Sequence, residues 1–265
     1  MADVTRVAIV GASGRMGRAL LEDAEGAGCE VVAAIVRPGS PSLGEALGPG
    51  GVRATDDLAE AASRCDVVID FSSPAACVVA ARAAAAAGVA FVSGTTGLGA
   101  EELAALEQAA GEAAVLHAAN FSVGVNVLAR LVELAARATG EEWDLEVFEA
   151  HHKHKVDAPS GTALLLGRAA AAGRGVDLDA VADWARHGAT GPREQGAIGF
   201  QVMRGGDIVG EHTVFACGEG ERIELGHRAT DRGIFARGAL RAARWIAARG
   251  PGAYSMDDVL FGSGS

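Results

Sequence analysis

Apolar positions in the first half of the chain fall in short, nearly unbroken runs separated by stretches of helical periodicity. Val4 to Val10 is a β-branched run that stops at Gly11, the pattern of a strand covered on both faces. Arg18 to Ala27 reads as a helix with Gly28 as its stop. Glu30 to Val36 is a second strand, closed by Pro38, and Val67 to Asp70 a third. Pro74 to Ala87 is an alanine-rich helix with proline in its first turn and Gly88 beyond its end. Val89 to Ser93, a helix over Glu101 to Ala110, and Ala113 to His117 complete the series. Strands alternating with helices predict right-handed βαβ units in a parallel sheet.

The pattern changes after about Phe121. Val125 to Ala138 is a long helix, Leu145 to Glu149 a strand, His151 to Thr162 a polar loop, and Ala163 to Ala172 another helix. Three strand-like runs follow, near Ile198 to Met203, Ile208 to Phe215 and Arg222 to Leu225, separated by Gly205-Gly206 and Gly218-Glu219-Gly220. Turn signals between consecutive strands predict an antiparallel meander. Gly238 to Ala248 is a final helix, free to return to the first half. The expected architecture is an α/β nucleotide domain followed by an α+β domain.

Composition narrows the function classes. The 265 residues are 49% hydrophobic and 22% charged, which excludes a disordered chain. The formal net charge of −11 has the wrong sign for a protein that coats nucleic acid. Cys29, Cys65, Cys77 and Cys217 form no CxxC pair, so buried thiols in a reducing cytosol are expected rather than a disulfide framework or a cysteine zinc site. Met1 to Arg6 shows no basic stretch leading into a cleavable apolar run. The longest apolar run, Ala83 to Ala87 between Arg82 and Gly88, falls far short of the about 20 residues that cross a bilayer. A cytoplasmic protein without membrane or nucleic-acid partners is expected.

Candidate chemistry begins at Gly11-Ala12-Ser13-Gly14-Arg15-Met16-Gly17, which follows a predicted strand and opens a predicted helix. Such a turn lets backbone N–H groups and the helix dipole face a pyrophosphate, and Arg15 adds a charge-assisted contact. The spacing is GxxGxxG rather than GxGxxG, so the strand–turn–helix context carries the reading. At the end of the second strand stands Val36-Arg37, where an acid would select the ribose of NAD. Arg37 favours the 2′-phosphate of NADP; the plain alternative is a solvated loop arginine. Ser93-Gly94-Thr95-Thr96-Gly97 and Ala118-Ala119-Asn120-Phe121-Ser122 follow two further strands. In an open α/β sheet, that is where a nicotinamide and its ribose would sit.

His151-His152-Lys153-His154-Lys155 packs five basic groups into five residues of an acidic chain. Histidine exchanges protons near neutrality and lysine supplies a point charge, which suits a dianionic substrate protonated during reaction. A zinc site is disfavoured, because an extended run sends alternate side chains to opposite faces and the lysines repel a cation; no metal is expected. His154 reads as satisfying backbone groups. Asp157 to Ala163 then enters a helix, where the N–H groups of Gly161 and Thr162 could receive a carboxylate. Asp157 or Ser160 could equally serve as an ordinary N-cap.

These motifs, with Gly94-Thr95-Thr96-Gly97, Ala119 to Asn126, His151 to Ala163 and Arg204 to Thr213 in this order, resemble the 4-hydroxy-tetrahydrodipicolinate reductase (dihydrodipicolinate reductase) family nearly end to end. The resemblance implies NAD(P)H-dependent reduction of a cyclic dicarboxylate, 4-hydroxy-tetrahydrodipicolinate, to tetrahydrodipicolinate in the diaminopimelate route to lysine. It implies His151 as proton donor and acceptor, Lys155 as proton donor, and His152, Gly161 and Thr162 as substrate ligands. It assigns Gly11, Ala12, Ser13, Gly14, Arg15, Met16, Gly94, Thr95, Thr96, Ala118, Ala119, Asn120 and Phe121 to the dinucleotide. It also implies a Rossmann-type domain over 1–122 completed by 233–265. The remainder, 123–232, would be a substrate and oligomerisation domain with a mostly antiparallel sheet, in a homotetramer. Relatives that use NADH well commonly carry an acid before the arginine, where this chain has Val36, so NADPH is the expected preference, with NADH possible. The alternatives are another NADP-dependent oxidoreductase of a small dicarboxylate or semialdehyde, a non-catalytic NADP-binding sensor, and a metal-dependent hydrolase.

Overall fold

The computed structural model describes residues 4–262; Met1 to Asp3, part of the segment read above for a leader, and the last three residues lie outside them. In chain order the first elements are β1 (Thr5–Val10), α1 (Arg15–Asp23), β2 (Cys29–Ile35), β3 (Ala46–Leu47), β4 (Val52–Thr55), α2 (Leu58–Arg64), β5 (Val67–Asp70), α3 (Pro74–Ala87), β6 (Ala90–Ser93), α4 (Ala100–Ala110) and β7 (Ala114–His117). Next come α5 (Val123–Thr139), β8 (Asp144–His151), α6 (Gly161–Arg174), α7 (Leu178–Val181), β9 (Ala182–Asp183), β10 (Ile198–Arg204), β11 (Gly210–Gly218) and β12 (Glu221–Ala229). The chain closes with α8 (Gly233–Ile246), β13 (Gly252–Tyr254) and α9 (Met256–Phe261). It divides into two compact units. One runs to Ser122 and resumes at Gly233; the other is Val123–Arg232.

The first unit holds an eight-stranded sheet in the order β13-β7-β6-β5-β1-β2-β4-β3. All its ladders are parallel except the short β3–β4 pair. Alternate residues of one strand enter opposite cores: Val7 and Ile9 pack with α1 and α8, while Ala8 and Val10 pack with α2, α3 and α4. Burial on both faces is why these strands read as unbroken apolar runs rather than as alternation. From β1 the chain winds outward to β2 and β4, then returns to place β5 on the other side of β1. Strand order therefore reverses beside the glycine turn, the position where open α/β sheets take ligands. On α8, Leu240 and Ile246 are fully buried, each contributing about 1.5–3 kcal/mol. Gly238 lets this helix press onto Phe121, whose carbonyl oxygen a Cβ would meet at 1.8 Å.

The second unit is a five-stranded sheet, β12-β11-β8-β10-β9. Its antiparallel ladders hold nine and seven residue pairs, against seven and two in its parallel ladders. The predicted meander is corrected here. Only β11 and β12 form a hairpin; β10 runs parallel to β8, which separates it from β11. The turn after β10 marks a change of neighbour, which glycines in a sequence cannot distinguish from a hairpin. Leu145 and Val147 on β8 join Leu128, Val132, Leu166, Ala170 and Phe200 in one apolar cluster. Gly173 brings α6 against α5, where a Cβ would meet the Glu133 carbonyl oxygen at 2.3 Å.

Two boundaries matter for the site. α1 starts at Arg15, not Arg18, because the chain enters the helix directly from the extended Gly14. β8 runs on to His151, not Glu149, because pairing with β10 holds it to its last residue. His151 is therefore a strand residue, with the polar loop starting after it.

Candidate active site

In the first unit, Gly11 has φ +78, and a Cβ there would strike the Phe71 carbonyl oxygen at 2.4 Å. A Cβ on Gly17 would strike the Gly11 carbonyl oxygen at 2.2 Å. The Gly14 N–H donates to Gly11 at 2.9 Å, and the start of α1 has no side-chain cap. This close-packed turn leaves a bare helix N-terminus at the strand-order reversal, and it fits a pyrophosphate. Ala12 is buried in the core; Ser13 turns its carbonyl oxygen to Arg18 Nε at 3.0 Å; Arg15 is exposed and Met16 half-buried. Val36 is buried at the end of the second strand, while Arg37 next to it is exposed.

The Gly94–Thr96 loop is locked from below by Asp70, a fully buried carboxylate at the end of β5. It accepts hydrogen bonds from the hydroxyls of Ser93 at 2.8 Å and Thr95 at 2.7 Å, and a further one from Ser72. Thr95 also accepts the Ser72 N–H at 2.9 Å. Its side chain therefore points inward, leaving Gly94 and the exposed Thr96 as the outward part of the loop. Gly94 lies against the Phe71 ring, which a Cβ would meet at 2.1 Å. In the next loop Ala118 donates its N–H to Ser93 at 3.0 Å, Ala119 is exposed, and Asn120 Oδ1 accepts the Ser122 N–H at 2.8 Å. The Phe121 ring is buried beside Phe71, so only its main chain can face a ligand.

In the second unit, β8 places Glu149 and His151 two residues apart on one face, continuing the face of Leu145 and Val147. Glu149 is fully buried. Arg204 donates to both its oxygens, at 2.7 and 2.8 Å, the Ser160 N–H donates at 2.9 Å, and His151 Nδ1 lies 2.6 Å away. Burial opposes the charge of Glu149, but hydrogen bonds from Arg204, His151 and Ser160 outweigh it and hold the carboxyl below its usual range. An ionised carboxylate only accepts, so Nδ1 of His151 carries the proton and Nε2 is left as the acceptor nitrogen. The buried Gly210 stands beside that nitrogen, and a Cβ would come within 3.1 Å of Nε2.

The rest of the basic loop spreads outward from His151. His152 Nε2 accepts from Arg232 at 3.2 Å. Burial, then the Arg232 charge, pushes the His152 imidazole below the usual histidine range. Lys155 Nζ donates to both carboxylate oxygens of Asp157 at 2.8 Å. His154 is exposed, its ring 6.2 Å from that of His152. Among the described residues no group of three or more His, Cys, Asp or Glu side chains is gathered as a metal site. Ser160 caps α6, its Oγ accepting the Ala163 N–H at 3.1 Å, and Gly161 opens the helix with no neighbour where a Cβ would stand. Thr162 follows it, half-buried. His151, His152, Lys155 and the Gly161–Thr162 turn thus belong to one continuous stretch held on Glu149.

Asp70, Glu149 and Arg232 escaped the sequence reading, and Arg204 and His212 entered it only within the Arg204 to Thr213 motif, with no role assigned. One signal was available for Glu149: an acid at the inward register position of an otherwise apolar strand face.

Two family models cover the chain, one described as dihydrodipicolinate reductase, N-terminus, over residues 5–121, the other as dihydrodipicolinate reductase, C-terminus, over residues 124–260. The chain belongs to the dihydrodipicolinate reductase family. It is 54% identical over 263 residues to a 4-hydroxy-tetrahydrodipicolinate reductase of Alkalilimnicola ehrlichii, covering 97% of this chain and 98% of the relative. To one of Acinetobacter baumannii it is 51% identical over 266 residues, 98% and 97% of the two chains. Its fold matches a dipicolinate-bound dihydrodipicolinate reductase from Paenisporosarcina sp. TG-14 with a TM-score of 0.74 at 22% identity, over 95% of this chain and 97% of that one.

Proposed function

We propose that this chain, a 4-hydroxy-tetrahydrodipicolinate reductase by family and so an enzyme of lysine biosynthesis, divides its reaction between the glycine turn and the stretch from His151 to Thr162. The family uses NAD(P)H, which when bound supplies the hydride. The Gly11–Met16 turn, Gly94 to Thr96 and Ala118 to Phe121 hold the dinucleotide. Replacing the substrate hydroxyl by hydrogen also consumes one proton and releases water, so the site needs an acid. Lys155 is the donor of that proton, and Nε2 of His151 is the proton donor and acceptor beside it. His152 and the Gly161–Thr162 turn receive the two carboxylates. The observation that carries this reading is the buried Glu149–His151 pair, which leaves Nε2 of the imidazole, beside Gly210, as its acceptor nitrogen.

NADPH is the preferred form, because Arg37 is exposed where the 2′-phosphate would lie and no acid accompanies it. The chain assembles as a homotetramer; exposed Leu131, Leu134, Val202, Met203 and Ile223 on the second unit supply apolar surface for contact between copies. It works in the cytoplasm: the cysteines are free thiols, three of them buried, as suits a reducing compartment. No helix among the described residues is long and apolar enough to cross a membrane.

The test is oxidation of NADPH and NADH in parallel with 4-hydroxy-tetrahydrodipicolinate. Turnover with NADPH well above NADH is expected. Equal rates would overturn the role of Arg37, and binding of NADPH without turnover would move the assignment to a sensor.

A further inference from the structure

Arg204 reaches more than Glu149. Its Nη2 also donates to the Asp157 carbonyl oxygen at 2.7 Å. Glu149 in turn holds His151 through Nδ1 and Ser160 through its N–H. The pair therefore fastens the 152–160 segment at both ends, with its first neighbour His151 on one side and the start of α6 on the other. Main-chain bonds repeat the grip on the His151 side, where Gly205 donates to the His151 carbonyl at 2.9 Å and His152 donates to Ile208 at 2.8 Å. On β11, the His212 ring meets His151 edge to face at 5.1 Å, and its Nε2 lies 3.0 Å from the Ser160 hydroxyl. The imidazole of His151 is thus bounded by Glu149, His212 and Gly210.

A carboxylate in such a place is costly unless each lone pair is met by a donor. Here the donors are the very groups whose positions the reaction requires. A packed apolar residue at 149 would serve the core equally well, yet would leave the His151 tautomer and the end of the loop undefined.

We propose that Glu149, held by Arg204, is a positioning residue of the reductase site: it fixes His151 as the Nδ1–H tautomer and sets the basic loop and the α6 N-terminus in one register. The proposal rests on the reading of His151 and the Gly161–Thr162 turn as site residues. Glu149 is fully buried with both oxygens taken by Arg204, His151 and Ser160, so it acts through them.

The experiment is nitrogen-15 NMR of the histidine rings in the full-length protein, wild type and Glu149→Gln, paired with steady-state kinetics. The wild type should show His151 as Nδ1–H; an Nε2–H tautomer would overturn the proposal without any variant. In Glu149→Gln the signal should become a tautomer mixture, and kcat should fall between about 100-fold and 10,000-fold, with KM for NADPH unchanged. Arg204→Lys keeps a positive partner for Glu149 but loses the Asp157 contact. It should retain the tautomer and raise KM for the dicarboxylate several-fold. Wild-type kcat in Glu149→Gln with an unchanged tautomer would sink the idea. If His151→Gln turned over normally, the reading of His151 would fall, whereas the tautomer result would still report what Glu149 does.

Discussion

The Thr95 hydroxyl donates to Asp70 Oδ2 at 2.7 Å inside the first unit, 25 residues apart in sequence. It turns one of the two threonine side chains of the Gly94–Thr96 loop inward and ties the loop down, while Thr96 stays outward. Thr95→Val keeps the shape but leaves Asp70 short of a donor, which costs about 1–3 kcal/mol. The expected result is a lower midpoint in urea together with a several-fold rise in KM for NADPH and little change in kcat. An unchanged KM would show that the loop does not bear on the dinucleotide.

Lys155 pairs with the half-exposed Asp157, from which a bound dianion can draw it away. Lys155→Ala should lower kcat by about 100- to 10,000-fold, the span of general acid catalysis. NADPH affinity, read by fluorescence titration, should not move. Near-normal turnover would remove Lys155 from the chemistry.

Arg37→Ala should weaken NADPH about tenfold or more, because a hydrogen bond to a charged group is worth about 1.5–3 kcal/mol. NADH should bind as before. Calorimetric titration of both nucleotides separates this from a general loss of the fold.

His212 supplies a pH prediction. Burial first, then the neighbouring His151, lowers its pKa from 6.5 to about 4. The unfolded chain takes up a proton at this position near pH 6.5 and the folded one does not, so stability is lost as pH falls from 6.5 toward 4. Between pH 7 and pH 5 the loss from this group is about 2 kcal/mol. Urea unfolding at the two pH values should show it, and His212→Asn should flatten the slope. An equal slope in the variant would assign the acid sensitivity elsewhere.

Much of the molecule was legible along the chain. The turn at Gly11 to Gly17 is a local demand, since the close approaches at Gly11 and Gly17 admit no Cβ and the neighbouring strand and helix declare themselves by periodicity. The parallel sheet followed from strands apolar on both faces. The basic loop was visible because its residues are contiguous. Short pieces such as β3, β4 and β9 were not seen, being too brief to carry a period.

By itself the sequence determined which local elements form and which residue types cluster in one stretch, because capping, glycine geometry and hydrophobic period act over a few positions. Only the tertiary structure decided that β8 lies between β10 and β11, that Arg204 reaches Glu149 across 55 positions, and that Arg232 reaches His152 across 80. The reason is physical. A buried charge must find its partner in space, and that partner is chosen by strand register and sheet order rather than by distance along the chain.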